Sequence, residues 1–376
     1  MEIRKILITL IFSLSLIIIL LSIVLSLRLN NAKLNLSTPP SDASCKILQF
    51  SNKEAVDILF FSDKEKAKEY VDYLLSIEPF KSYKDAFNFY YIDDYKPLCE
   101  IYKDIALLCN SKEIIKKASV CPYDYIVVLQ NAESNIRSSS YNNIMSLNLL
   151  HPISVFSHEF GHAFASLDDE YVPASLSFFS KNCGKSCSKF EKVTKECYKG
   201  CSKEDYFRSV ENGIMKTLSS NNYGTFNKRI IESLLQKKSV KISGSAIKEQ
   251  KEKCVNMNYY IISAKAENGN LKVLSKEIER GCFPDYATEG LYSYTMQNKE
   301  GEKINTEKIN DLFRIFSDEV EENKKLSGGA LDVNETKIYL VFPYIKEAEK
   351  LTIEDIEGNK ITEIQLGDKL NKACKR

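Results

Sequence analysis

Residues 151–171 read HPISVFSHEFGHAFASLDDEY, and the rest of the chain is best understood outward from this stretch. Ile153, Phe156, Phe160 and Phe164 give it one broad apolar side, the pattern of an amphipathic helix. His158 and His162 are four apart and share a helix face, so both imidazoles can meet one metal ion. Glu159 stands about 100° further around the helix, beside such an ion and not on it. Zinc lowers the pKa of a bound water to about 7, and a neighbouring carboxylate can then take its proton. His-Glu-x-x-His on a helix therefore implies peptide hydrolysis without a protein nucleophile. The chain has only 3 His, all within this stretch, so a chance pairing around a Glu is a poor alternative.

Zinc needs a third protein ligand, and no histidine follows His162. Asp168, Asp169 and Glu170 are the nearby carboxylates. The metzincin count, HExxHxxGxxH or its variant ending in Asp, selects Asp168, although Ala165 stands where that pattern has glycine. If the helix continued, Asp169 would share the histidine face but lie about 10.5 Å along the axis, too far for a bond of about 2 Å. The chain must leave the helix near Ser166 to deliver either carboxylate, and spacing does not choose between them.

HEFGHAFASLDDEY resembles the signature of the IgA-peptidase family of metallopeptidases, HEFGHxFxxLxDEY. The resemblance runs over roughly 55–236, through VDILFFSD, IEPFKSYKDAFNFYYID, YIVVLQN and YFRSVENGIM. It implies a metzincin-like zinc peptidase whose DEY falls on Asp169, Glu170 and Tyr171, making Asp169 the third ligand. It also implies a Met-turn, with Met215 beneath the metal and Asn212 and Gly213 making the turn. A glycine-rich stretch often seen before the helix in that family is replaced here by AESNIRSSSYNN.

Residues 1–5 are a short basic flank, and Ile6 to Leu27 carries no charge. At 1.5 Å per residue that run reaches about 33 Å, enough for a bilayer core of about 30 Å. No A-x-A-like step follows, so it reads as an uncleaved transmembrane anchor and not a signal peptide. Residues 28–44 read as a stalk, 45–239 as the peptidase domain with a Cys-rich insertion at 181–203, and 240–376 as a β-sandwich with ENGN and EGNK turns. The expected fold is α+β: a metzincin-like domain with an N-terminal transmembrane helix and a C-terminal β-sandwich.

The 11 Cys suggest an oxidising compartment, and so a single-pass cell-membrane protein with its catalytic domain outside the cytoplasm. Nested bridges Cys183–Cys201 and Cys187–Cys197 on antiparallel helices, with Cys109–Cys121 and Cys254–Cys282 as further pairs, leave Cys45, Cys99 and Cys374; the odd count means that at least one thiol is free, with Cys374 the candidate. Lys plus Arg number 52 against 51 Asp plus Glu, so no field of one sign is available to steer a nucleic acid. The expectation is a zinc endopeptidase acting on protein or peptide, with His158, His162 and Asp169 on the metal and Glu159 as general base. Two alternatives stand beside it. One is a catalytically silent binding protein of the same fold; the other is a peptidase with a distal ligand such as Glu196 or Glu211. Oligomeric state is not legible.

Overall fold

Strand β2 (Val56–Phe61) is buried along its whole length, as a strand covered on both faces must be. In the computed structural model, which describes residues 44–240, 251–285, 290–321 and 323–367, it lies inside a nine-stranded mixed sheet. Its parallel neighbours are β3 (Phe87–Ile92) and β6 (Tyr125–Gln130). Beyond β3 the antiparallel β1 (Lys46–Gln49) closes one edge. The small hairpin of β4 (Glu100–Tyr102) and β5 (Ala106–Leu108) lies off this sheet. On the other side, β8 (Ile144–Asn148) runs parallel to β6, and β7 (Ser138–Tyr141) pairs antiparallel with β8.

Among the described residues four helices accompany the strands. Helix α1 (Lys64–Leu74) starts at Asp63, whose side chain accepts the Lys66 N–H, and buries Ala67, Tyr70, Val71 and Leu74. Ser111 caps the short α2 (Lys112–Ala118) in the same way. Helix α3 (Ser154–Ala165) is buried at every residue. Its Phe160 and Phe164 rings stack at 5.2 Å and pack against Phe80, Phe87 and Tyr125 from the sheet side, which fixes the helix on the core. Helix α4 (Thr225–Val240) packs against the other flank of α3. Between α3 and α4 lies a disulfide-tied hairpin of β9 (Tyr198–Cys201) and β10 (Lys203–Arg208).

From residue 258 onward two sheets face each other. One is β12 (Asn270–Arg280), β11 (Asn258–Glu267) and β18 (Lys337–Pro343). The second is β14 (Lys303–Ile309), β13 (Tyr292–Gln297), β19 (Lys350–Asp355) and β20 (Lys360–Gln365). Tyr260, Ile262, Tyr294, Met296, Leu340 and Ile353 fill the space between them. These strands do not stand apart from the rest. Strand β15 (Arg314–Val320) leaves them and pairs antiparallel with β7, and β16 (Leu326–Ser327) and β17 (Leu331–Asp332) pair with β15.

The expected α+β metzincin-like fold, with a transmembrane helix in front and a sandwich behind, is corrected by this architecture. The described residues are mostly sheet, 36% strand against 17% helix with four helices among them. The physical reason is strand pairing between distant parts of the described chain: the large sheet is completed by a strand supplied from beyond residue 300. The anchor at Ile6–Leu27 lies outside the described residues, and among those no helix is long and apolar enough to cross a membrane. The single-pass membrane assignment is accordingly withdrawn.

Five disulfides form: Cys45–Cys121, Cys99–Cys109, Cys183–Cys201, Cys187–Cys197 and Cys254–Cys282. Cys109 and Cys121 do not pair with each other; each is bridged to a cysteine further from α2, at Cys99 and Cys45. The bridges of the Cys-rich insertion span a one-turn helix at Cys187–Lys189 and the β9–β10 hairpin, not two antiparallel helices. Cys374 lies outside the described residues. With ten of the 11 Cys in these pairs, alkylation of the denatured, unreduced protein should label about one thiol per chain, and prior reduction should expose the rest. Mass spectrometry reads the difference; several free thiols before reduction would refute the pairing.

Candidate metal centre

Helix α3 ends at Ser166, where the chain has to leave it to bring a carboxylate back to the histidines. Ser166 adopts the left-handed conformation (φ 51°, ψ 43°), its N–H bonding to the His162 carbonyl and that of Leu167 to the Gly161 carbonyl. The chain folds back on the helix, and Asp168, Asp169, Glu170 and Tyr171 are all buried beneath it. The two aspartates part company there. Asp168 accepts hydrogen bonds from Ser177, has Arg314 at 3.6 Å, and faces away from the histidines. Asp169 turns toward them: its Oδ1 lies 3.3 Å from His158 Nε2 and 3.2 Å from His162 Nε2.

Each imidazole is oriented from behind. His158 Nδ1 is 2.9 Å from the Ile214 carbonyl, and His162 Nδ1 is 2.6 Å from the Leu167 carbonyl. A carbonyl only accepts, so each Nδ1 carries a proton, and each ring offers its Nε2 lone pair once the second proton has left. The two Nε2 atoms face each other at 3.1 Å. Met215 follows Ile214 and is fully buried, its carbonyl accepting the Glu170 N–H at 2.7 Å. It packs against α3 where Gly161 has no side chain; a Cβ there would stand 2.6 Å from the Met215 sulfur.

A fourth acidic group comes from β15. Asp318 Oδ2 lies 2.7 Å from His158 Nε2 and 3.9 Å from His162 Nε2, and its Oδ1 accepts the Tyr171 hydroxyl. The donor atoms of His158, His162, Asp169 and Asp318 all fall within 4.8 Å of one another. Separations near 3.3 Å are the edges of a tetrahedron whose arms are about 2.0 Å, the length of a zinc–nitrogen bond. Both Asp169 oxygens lack a hydrogen-bond donor although the residue is fully buried. Unmet acceptors of this kind, converging with two oriented lone pairs, fit a zinc ion. Glu196 and Glu211 are exposed at the surface and take no part.

Glu159 lies next to this cluster, wholly buried, with neither carboxylate oxygen hydrogen-bonded. Burial and the nearby Asp318 push its pKa up to about 8. Burial opposes charge on the imidazoles too, but the aspartates outweigh it: His162 is raised to about 9, and His158 well above its ordinary value. Asp318 is held low: burial acts against its charge, and His158 more than compensates. Phe316, two residues before Asp318, lies flat on the His162 ring at 4.1 Å. Beside that stack a cavity of about 260 Å³ reaches His162, bordered by Ser140, Asn142, Lys308 and Arg314. The third histidine, His151, is elsewhere, bonded to Ser138 Oγ at 3.0 Å.

Asp318 carries no motif spacing that could have announced it. Its one cue is an acidic residue inside RIFSDEV, a segment otherwise suited to a strand, where aspartate is disfavoured. No protein-family model matches the chain, and no curated protein matches it.

Two measurements follow from this geometry. Asp169→Ala should weaken zinc binding at least about tenfold, since losing even an outer-shell partner costs about 10–100-fold, while Asp168→Ala should bind zinc nearly normally. The reverse order in a zinc titration would assign the ligand to Asp168. The raised imidazole pKa values mean that protons occupy the rings at pH 7 until a metal displaces them. Zinc binding at pH 7 should therefore release roughly one to two protons, and affinity should fall as pH is lowered. Calorimetry in two buffers of different ionisation enthalpy counts those protons.

Proposed function

We propose that the chain is a zinc-dependent peptidase, with zinc held by His158, His162 and Asp169 and with Glu159 as its proton carrier. The observation that carries the reading is a pair of histidines oriented on one face of α3, with a buried, partnerless carboxylate one residue after the first. The resemblance of HEFGHAFASLDDEY to the IgA-peptidase signature supports the same assignment. Zinc, when bound, polarises the scissile carbonyl and acidifies water. Glu159 then takes a proton from the attacking water as its oxygen bonds to the carbonyl carbon. The same carboxyl gives that proton to the departing amine nitrogen as the C–N bond breaks. A dication nearby favours the ionised carboxylate, offsetting the burial that otherwise keeps Glu159 protonated near neutral pH. Ile214 and Leu167 hold the imidazoles in the tautomer that binds metal throughout. The substrate is a protein or peptide chain.

A second reading has one observation in its favour. Four protein donors close the cluster, and closed four-ligand sites are the mark of structural zinc. On that reading the protein is a binding module whose metal only stabilises it. Bound zinc and peptide-library cleavage, measured together for the parent and Glu159→Gln, separate the two. Both proteins should hold about one zinc, and the variant should cleave at least about 10³-fold more slowly. A zinc-loaded Glu159→Gln protein cleaving as fast as the parent would sink the mechanism. Zinc without cleavage, in the parent and in the Asp318 variant below alike, leaves the structural reading standing.

A further inference from the structure

We propose that β15 is a displaceable plug and that this structure is the latent state of the enzyme, with Asp318 filling the metal position that substrate needs. The inference rests on the zinc-peptidase reading and assigns its regulation. Three of the four donors are local, from α3 and the turn that follows it; the fourth arrives on a strand far along the chain. Catalytic zinc has three protein ligands and one open position, so the distant donor is the one to leave.

The way β15 lies supports this. It pairs antiparallel with β7 at Phe316↔Ser140, Ser317↔Ser139 and Asp318↔Ser138, as an extended peptide can, and carries β16 and β17 on its far side. Residues two apart on a strand share a face, so Phe316 and Asp318 project together toward α3. Phe316 covers the His162 ring and Asp318 reaches the cluster. One short strand thus masks both an imidazole and the fourth coordination position.

Glu159 supplies the independent observation. Its two oxygens are fully buried without a partner, a costly arrangement that a permanently closed centre has no need to keep. A water or a substrate amine beside the metal would give them a partner. The plug is held by backbone pairing with β7, β16 and β17 and by the burial of Ile315 and Ser317, and side-chain ties add to these. Tyr171 donates to Asp318, Arg314 donates to Ser177 Oγ at 2.8 Å, Arg137 pairs with Glu319 at 2.8 Å on the surface, and Leu326 of β16 is buried. A substrate strand competing for β7 shifts the balance by its differential affinity for the open form.

The test uses the full chain loaded with cobalt(II) in place of zinc, with azide as the probe of an open coordination position. In the parent, azide should leave the visible cobalt spectrum almost unchanged. Asp318→Ala should show an azide-dependent spectrum and, reloaded with zinc, should cleave peptides at least about tenfold faster than the parent. Tyr171→Phe removes only the hydrogen bond to Asp318, keeps the packing, and should move both readouts the same way, up to about tenfold in rate. That variant decides the matter if Asp318→Ala fails to fold. Azide perturbing the parent as strongly as the variants overturns the plug. So does a folded variant that cleaves no faster than a parent that itself cleaves. A different result separates the underlying reading: variants that open to azide yet cleave nothing make Asp318 the fourth ligand of a structural centre and remove the peptidase.

Discussion

Five ionisable groups, His158, Glu159, His162, Asp169 and Asp318, sit together where almost no water reaches, and a fold tolerates that only if they compensate one another. Everything around them serves that condition. The carbonyls of Ile214 and Leu167 take the outward protons of the rings, so the inward nitrogens face the carboxylates. Asp168 and Glu170, equally buried, are held separately, Asp168 by Ser177 and Glu170 by Asn182 and Asn227 through its Oε1 alone. A divalent cation balances two carboxylates far better than protons shared among the rings, since hydrogen bonds to the imidazoles leave the Asp169 oxygens unmet.

The rigidity that such a cluster needs comes from aromatic packing. Phe156, Phe160 and Phe164 lock the back of α3 to rings of the sheet, leaving the histidine face no freedom to slide. Gly161 lets Met215 lie directly under the helix, and the backbone of that segment then holds both Glu170 and His158. Sequence-local elements thus make three corners of the centre, and sheet pairing makes the fourth.

That division explains what could be read in advance. The helix, its histidine spacing and the need to turn near Ser166 depend on residues within about one helical turn of each other, where periodicity and bond lengths are sufficient guides. Asp318 depends on which strand lies beside β7, a tertiary choice that no local pattern encodes. Strand β7 is itself hard to see: Ser138, Ser139 and Ser140 have little strand propensity, yet all are buried. Composition told of disulfides, but partners such as Cys45 and Cys121, separated by 76 residues, follow from the folded sheet.

The distance along the chain between α3 and β15 also has a biosynthetic consequence. A ribosome adding about 5–20 residues per second takes about 8–30 s to pass from the end of α3 to Asp318. Through that interval the unpaired edge of β7 and the histidine face have no β15 to cover them. An exposed edge beside apolar surface invites pairing with other extended chains. The nascent protein therefore passes through a stage in which an open sheet edge and the histidine face are uncovered together, and arrival of the Arg314–Val320 strand covers both in one pairing event.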